Sequence, residues 1–252
     1  MPDIIYSQHG YRCRLEWGRD GARRAAARGD IMVVVDVLSF STAVATAIHH
    51  GGIVYPCAYN ETPEELAGSV GGEVAVHRSE FPVRGRFSLS PLSFLDLEHG
   101  TVVVLTSPNG ATCSRYAREV PCLFTGGLIN ARAVGMAVSS LLERVEGDVT
   151  IVAAGERWAD YSEDGELRVA IEDYLGAGAI ISSIAARKSP EAVLCESAFR
   201  AVESRLPELL LECSSGVELI MKGYQGDVEH AASLDLYDSV PIMRNGRFEK
   251  MA

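Results

Sequence analysis

Residues 31–42 read Ile-Met-Val-Val-Val-Asp-Val-Leu-Ser-Phe-Ser-Thr. An unbroken apolar run of this length describes a strand covered on both faces, as in a parallel sheet with helices on either side. The acid at its end, Asp36, falls where open α/β sheets place their ligands. The hydroxyl residues that follow, Ser39, Ser41 and Thr42, can open a helix whose amino end offers N–H groups to an anion. A metal-capable carboxylate beside a phosphate cradle points to phosphate-ester chemistry. The same pattern also serves a simple helix cap.

The rest of the chain repeats this alternation. Strands are expected at Ile53–Cys57, Glu73–His77, Thr101–Thr106, Cys122–Thr125 and Val149–Ala154, after the first at Ile31–Val37. Helices are expected at Ser41–His50, Thr62–Ala67, Gly110–Arg118, Ile129–Arg144 and Glu166–Ala186. From Ser189 to Gly223 the pattern is helical, with a start at Pro207 and breaks at Gly216 and Gly223. Ser239–Met243 reads as a final edge strand, because Pro241 lacks a ladder N–H, and Asn245–Ala252 as a polar tail. Gly68–Gly72 and Arg78–Leu92 read as the loosest segments. The fold class expected is α/β, a three-layer α/β/α domain with a mostly parallel or mixed sheet, spanning residues 1–252 as one unit.

With 47% apolar and 23% charged residues, the 252-residue chain has material for a sizeable core. A formal charge of −11 argues against a nucleic-acid partner. No run is long and apolar enough for a membrane span, and the amino terminus has no signal-peptide core. The six cysteines are scattered without a Cys-x-x-Cys pair. That usage fits free thiols in a reducing cytoplasm and no zinc site.

Three more strand-to-helix junctions carry ligand-type residues. Thr106-Ser107-Pro-Asn109-Gly110-Ala-Thr112 is a turn able to aim successive N–H groups into one concavity. Gly126-Gly127-Leu-Ile-Asn130 and Gly155-Glu156-Arg157 place glycines where a backbone can approach a ligand. Glu172 and Asp173 then sit in an otherwise apolar helix. Adjacent buried acids are costly unless paired or bound to a cation. Asp36 with Glu172 or Asp173 would hold a hard divalent ion, and a solvated acidic stripe or a bridge to Arg168 or Arg187 is the plainer reading.

Several phosphatase mechanisms are disfavoured. Aspartate-nucleophile enzymes need a second Asp where this chain has Leu38. The Cys13…Arg19 spacing fits a cysteine phosphatase, but the bulky, acidic residues between them cannot cradle phosphate. Neither a P-loop nor a nucleophile elbow is present. Cys113, beside the Asn-Gly turn, is a candidate nucleophile that lacks an evident partner histidine.

The segments resemble the 2-phosphosulfolactate phosphatase family. The match runs through Val-Val-Val-Asp36-Val-Leu with Ser41-Thr42, Thr106-Ser-Pro-Asn109-Gly110-Ala-Thr112, Gly127-Leu-Ile-Asn130, Ala153-Ala-Gly155 and Glu172-Asp173 with Gly176-Ala-Gly178. It continues through Ser214-Ser-Gly216, Gly223, Asp227-Val228 and Ser239-Val-Pro241. The resemblance implies a magnesium-dependent acid phosphatase of coenzyme M biosynthesis, acting on a small anionic phosphomonoester and forming a homodimer. It implies Mg²⁺ and catalysis at Asp36, Glu172 and Asp173. Substrate contacts are expected from Ser39, Ser41, Thr42, Ser107, Asn109, Gly110, Asn130 and Gly155. One departure stands out: the family's arginine directly after Asp-Val-Leu is Ser39 here. Serine cannot make the two-pronged anion contact of a guanidinium. Arg78, Arg84, Arg86 or Arg157 would have to supply that charge from a loop. Otherwise the substrate differs, or the fold serves as a non-catalytic anion- or metabolite-binding protein.

Overall fold

In a computed structural model the described residues are 5–158 and 166–252. In chain order the elements begin β1 (Cys13–Trp17), α1 (Gly18–Arg28), β2 (Ile31–Val35), α2 (Phe40–His49), β3 (Ile53–Cys57), α3 (Pro63–Val70) and β4 (Glu73–Val74). The middle of the chain supplies β5 (Val102–Thr106), α4 (Gly110–Tyr116), β6 (Leu123–Thr125), α5 (Ala131–Leu142), β7 (Val149–Ala153), β8 (Glu156–Arg157) and β9 (Leu167–Arg168). The helices α6 (Ile171–Ile181), α7 (Pro190–Val202), α8 (Leu206–Glu212), α9 (Ser214–Met221) and α10 (Gln225–Ala231) follow, and the hairpin β10 (Pro241–Arg244) and β11 (Arg247–Lys250) ends the chain.

Strand β2 shows how the layers arise. Ile31, Val33 and Val35 pack on one face with residues of α5, α6 and α7, whereas Met32 and Val34 pack on the other with residues of α1, α2 and α4. All five are buried. The unbroken apolar run is therefore a period-2 strand with two apolar faces, and the domain is α/β in three layers.

The main sheet has the order β1-β7-β2-β6-β10-β11-β3-β5-β4. Two parallel halves flank the antiparallel hairpin β10–β11. The hairpin joins each half through one residue pair, Ile242–Phe124 on one side and Phe248–Val54 on the other. The turns that follow β2 and β5 meet through a hydrogen bond from Gly110 N–H to Asp36 Oδ2.

Two expectations at the carboxyl end are corrected. Strand β10 lies at the centre of the sheet, because Pro241 is its first residue and no ladder N–H is required there. The expected polar tail contains β11, whose Phe248 is fully buried. Gly216 lies inside the first turn of α9 and is no break; an added Cβ would meet the Leu210 carbonyl at 1.8 Å. Of the segments expected to be loose, Gly68–Val70 belongs to α3, and Arg78 is anchored as described below. Among the described residues no helix is long and apolar enough to cross a membrane.

Candidate active site

The turn after β2 builds the floor of the site. Asp36 N–H donates to Ser41 Oγ (2.9 Å) and Ser41 N–H donates back to the Asp36 carbonyl (2.8 Å), which closes the turn and fixes the carboxylate. A cis peptide joins Leu38 to Ser39 within it. The Asp36 carboxylate accepts Gly110 N–H (2.7 Å) and Ser107 hydroxyl (3.2 Å) on Oδ2, and Phe40 N–H (3.3 Å) on Oδ1. Burial, followed by the charge of Glu156, pushes its pKa up to about 6. Gly110 is needed for this approach, since a Cβ there would lie 2.7 Å from Asp36 Oδ2 and 2.4 Å from Phe40 Cδ1.

Asp173, in the first turn of α6, ties two strand-end turns together. Its Oδ1 accepts Val37 N–H (2.7 Å) and its Oδ2 accepts Gly155 N–H (2.8 Å). Gly155 has φ +65°, a conformation that favours glycine. Burial, followed by the charges of Asp36 and Glu172, holds Asp173 well above the ordinary carboxylate range.

The rest of the cleft comes from four segments distant in sequence. Asn109 Nδ2 donates to Glu156 Oε1 (2.9 Å), which also accepts Arg157 N–H (2.9 Å). Arg78 reaches in from the β4–β5 connection. Its Nη2 donates to Ser39 Oγ (2.5 Å) and to the Leu89 carbonyl (3.2 Å), and its Nε to buried Asp227 Oδ2 (3.0 Å). Asp227 Oδ1 accepts the Ser90 hydroxyl (2.5 Å), so the guanidinium is held from several sides. Lys222, paired with Glu218 (2.5 Å), supplies a second cation from the end of α9. Asp36, Ser39, Arg78, Asn109, Glu156 and Lys222 line one cleft of about 130 Å³.

The structure thus brings Asp36, Ser39, Ser107 and Asn109 of the expected set to the cleft, with Gly110 N–H directly behind Asp36. It turns others away. Ser41 and Thr42 are fully buried, and their hydroxyls engage backbone groups and Thr125 (Ser41 Oγ to Val34 O, 3.2 Å; Thr42 Oγ1 to Val37 O, 2.8 Å). Asn130 is fully buried, accepting Gly127 N–H and donating to the Ser239 carbonyl. The hydroxyls and amide of these residues are taken up within the turns, and none of the three lines the cleft. Glu172 is buried beside Cys213, and neither it nor Asp173 lines the cleft that Asp36 lines. The acid that accompanies Asp36 is Glu156. Cys113 is fully buried and burial pushes its thiol up to about 12, which removes it as a nucleophile. Arg84 and Arg86 point outward in ion pairs with Glu80 and Glu73. Of the candidate loop arginines, Arg78 lines this cleft, and Arg157 lines a separate space with Arg19 and Arg23.

Glu218 and Lys222 were missed by sequence reasoning. Their i, i+4 spacing beside Gly223 marks the end of an exposed helix and nothing catalytic.

Among the described residues no group of three or more His, Cys, Asp or Glu side chains is arranged to hold a metal ion. Magnesium does not need one, because it is commonly bound through one or two carboxylates, water and the substrate's phosphate. Asp36 Oδ1 has a single long contact, and the bonds to Glu156 converge on Oε1, leaving Oε2 open among the described residues. This oxygen-only donor pair on one cleft fits a hard divalent cation.

The family model for 2-phosphosulpholactate phosphatase matches residues 20–246. The chain belongs to this family. The 2-phosphosulfolactate phosphatase of Methanothermobacter thermautotrophicus is 30% identical over 223 residues, covering 88% of this chain and 90% of that protein. A Carboxydothermus hydrogenoformans protein named "Probable 2-phosphosulfolactate phosphatase" is 33% identical over 218 residues, covering 83% of this chain and 84% of the relative. A protein of the same name from Symbiobacterium thermophilum is 29% identical over 234 residues (87% and 93%). The family match spans the whole site, from the turn after β2 through Arg78 and Glu156 to Asp227.

Proposed function

We propose that this chain hydrolyses a small, anionic phosphomonoester of the 2-phosphosulfolactate type with the help of Mg²⁺. The observation that carries this reading is the cleft that sets Asp36 and Glu156 against Arg78 and Lys222. A carboxylate pair with oxygens to spare suits a metal, and two cations facing it suit the anionic groups of the ester.

Asp36 and Glu156 would hold the magnesium, which when bound polarises the phosphoryl group and offsets charge on the leaving oxygen. Arg78 binds an anionic oxygen through Nη1, the guanidinium nitrogen without a protein partner among the described residues. Asp227 and Ser39 hold that fork in place, so little rotamer freedom is lost on binding. Lys222 neutralises a second anionic group. Asn109 keeps Glu156 turned onto the cleft. Phosphoryl transfer asks for positioning and electrostatic stabilisation more than for covalent help, and this arrangement supplies both.

The test is phosphate release from 2-phosphosulfolactate, 2-phospholactate, phosphoglycolate and an aryl phosphate, with Mg²⁺ and with a chelator. Release that needs the metal and falls at least about a hundredfold in Glu156→Gln supports the reading. Release that persists in chelator, or is unchanged in Glu156→Gln, overturns the metal assignment.

A further inference from the structure

Helix α9 presents one face to the Asp36 cleft. Ser215, Glu218 and Leu219 line it, and so does Lys222, the residue that follows the helix. Steps of three and four residues set these side chains on one side of the helix. The face is anchored at its first turn. Ser215 is buried and its hydroxyl accepts Arg168 Nη2 (3.3 Å), while Cys213 Sγ accepts Gly216 N–H (3.4 Å). Its two charged side chains are freer: Lys222 is 58% exposed and Glu218 53%, and they pair with each other across one turn (2.5 Å).

The two cations of the cleft therefore differ in kind. The Arg78 side chain is 14% exposed, and Asp227, Ser39 and the Leu89 carbonyl hold it in one position. Lys222 is held by Glu218, on its own helix. Exposed i, i+4 pairs contribute little to stability, so an anion entering the cleft can take the ammonium from Glu218 at small cost. An ammonium is a point charge with three donors on a flexible stem, and it pairs with a carboxylate and a sulfonate alike. Ser39 lines the same cleft with a neutral hydroxyl that Arg78 occupies, so it offers no charge to such a group. Glu218 acts in the opposite sense. It is a rival for the ammonium, and its own charge repels an incoming anion.

We propose that Lys222 selects esters that carry an acidic group besides the phosphate, a carboxylate or a sulfonate, and that Glu218 competes with that group for the ammonium. The proposal rests on the phosphatase reading above and assigns the specificity of that site.

The experiment compares kcat/KM, with Mg²⁺, for 2-phosphosulfolactate, phosphoglycolate and an aryl phosphate without an acidic arm. The proteins are the parent, Lys222→Ala, Lys222→Arg and Glu218→Gln. Lys222→Ala should lower kcat/KM for the two acidic esters at least about tenfold more than for the aryl phosphate, mainly through KM. Lys222→Arg keeps the charge and should retain the parent's preference for acidic esters within about threefold. Glu218→Gln should strengthen that preference about twofold or more, and raised salt should weaken it in the parent. Each preference is a ratio within one protein sample and is insensitive to how much enzyme folds. An equal loss on all three esters in Lys222→Ala, or a preference that falls in Glu218→Gln, overturns the proposal and leaves the phosphatase reading intact. No release from any ester by the parent protein, the aryl phosphate included, overturns the phosphatase reading and this inference with it.

Discussion

Gly110→Ala tests how tightly the site is assembled. An added Cβ would lie 2.4 Å from Phe40 Cδ1, 2.8 Å from Phe40 Cβ and 2.7 Å from Asp36 Oδ2. Ordinary carbon contacts need about 3.5–4 Å, so something must move by more than about 1 Å. Phe40 is fully buried and meets Phe248 edge-on, with 6.3 Å between ring centroids, and has little room to yield. The relief therefore falls on the first turn of α4, which carries Gly110 N–H away from Asp36 Oδ2. Overpacking costs about 1–3 kcal/mol, and losing a hydrogen bond to a carboxylate about 1.5–3 kcal/mol. A destabilisation of about 3–5 kcal/mol is expected, with at least about a hundredfold loss in kcat/KM from the displaced carboxylate. Gly68→Ala is the control. It sits in α3 with no atom within 4 Å of its added Cβ, and should be stabilising by about 0.5–1 kcal/mol. Denaturant midpoints and steady-state kinetics read both. A Gly110→Ala protein as stable and active as the parent would refute the close approach of α4 to Asp36.

Three further outcomes are expected. The Asp36 pKa stands at about 6 against a usual 3.8, so its charge costs the fold up to about 3 kcal/mol above pH 6, a cost that disappears below about pH 4. In chelator, Asp36→Asn should therefore be more stable than the parent at pH 7–8 and lose that advantage as pH falls towards 4; a pH-independent difference in midpoints contradicts this. Arg78→Lys keeps the charge but cannot span Asp227, Ser39 and the Leu89 carbonyl at once. It should raise KM at least about tenfold in substrate-saturation curves. Asp173→Ala leaves Val37 and Gly155 N–H groups buried without partners, and should destabilise by about 2–5 kcal/mol in denaturant titration.

How far the sequence could be read follows from which signals are local. Strand β2 and the acid at its end were plain because Val33, Val34 and Val35 are apolar and both sheet faces are covered. Strand β1 was hidden by Arg14 and Glu16, charges that look solvent-facing. In the fold Arg14 is buried in an ion-pair network with Asp30 and Asp148, and Arg28 bridges Glu16 and Asp30. The central hairpin carries a readable local signal. Asn245-Gly246 joins β10 to β11 with φ +52° and +78°, the pattern of a tight two-residue turn. The site divides in the same way. Asp36 and Asn109-Gly110 sit at strand ends that the alternation locates. Which acid faces the cleft was not legible: Glu172, Asp173 and Glu156 all lie near strand or helix ends, and only the packing of α6 turns the first two inward. Arg78 enters through Asp227, 149 residues away in sequence, a contact that periodicity cannot reveal.

The central claim is that Asp36 is part of a metal-dependent phosphomonoester hydrolase site. Phosphate release by Asp36→Asn, set beside the parent protein with the same esters and Mg²⁺, tests it most directly. The account predicts turnover reduced at least about a thousandfold, in a protein whose circular dichroism and denaturant transition show an intact fold. Parent-like release from that variant would remove Asp36 from the chemistry and contradict the account.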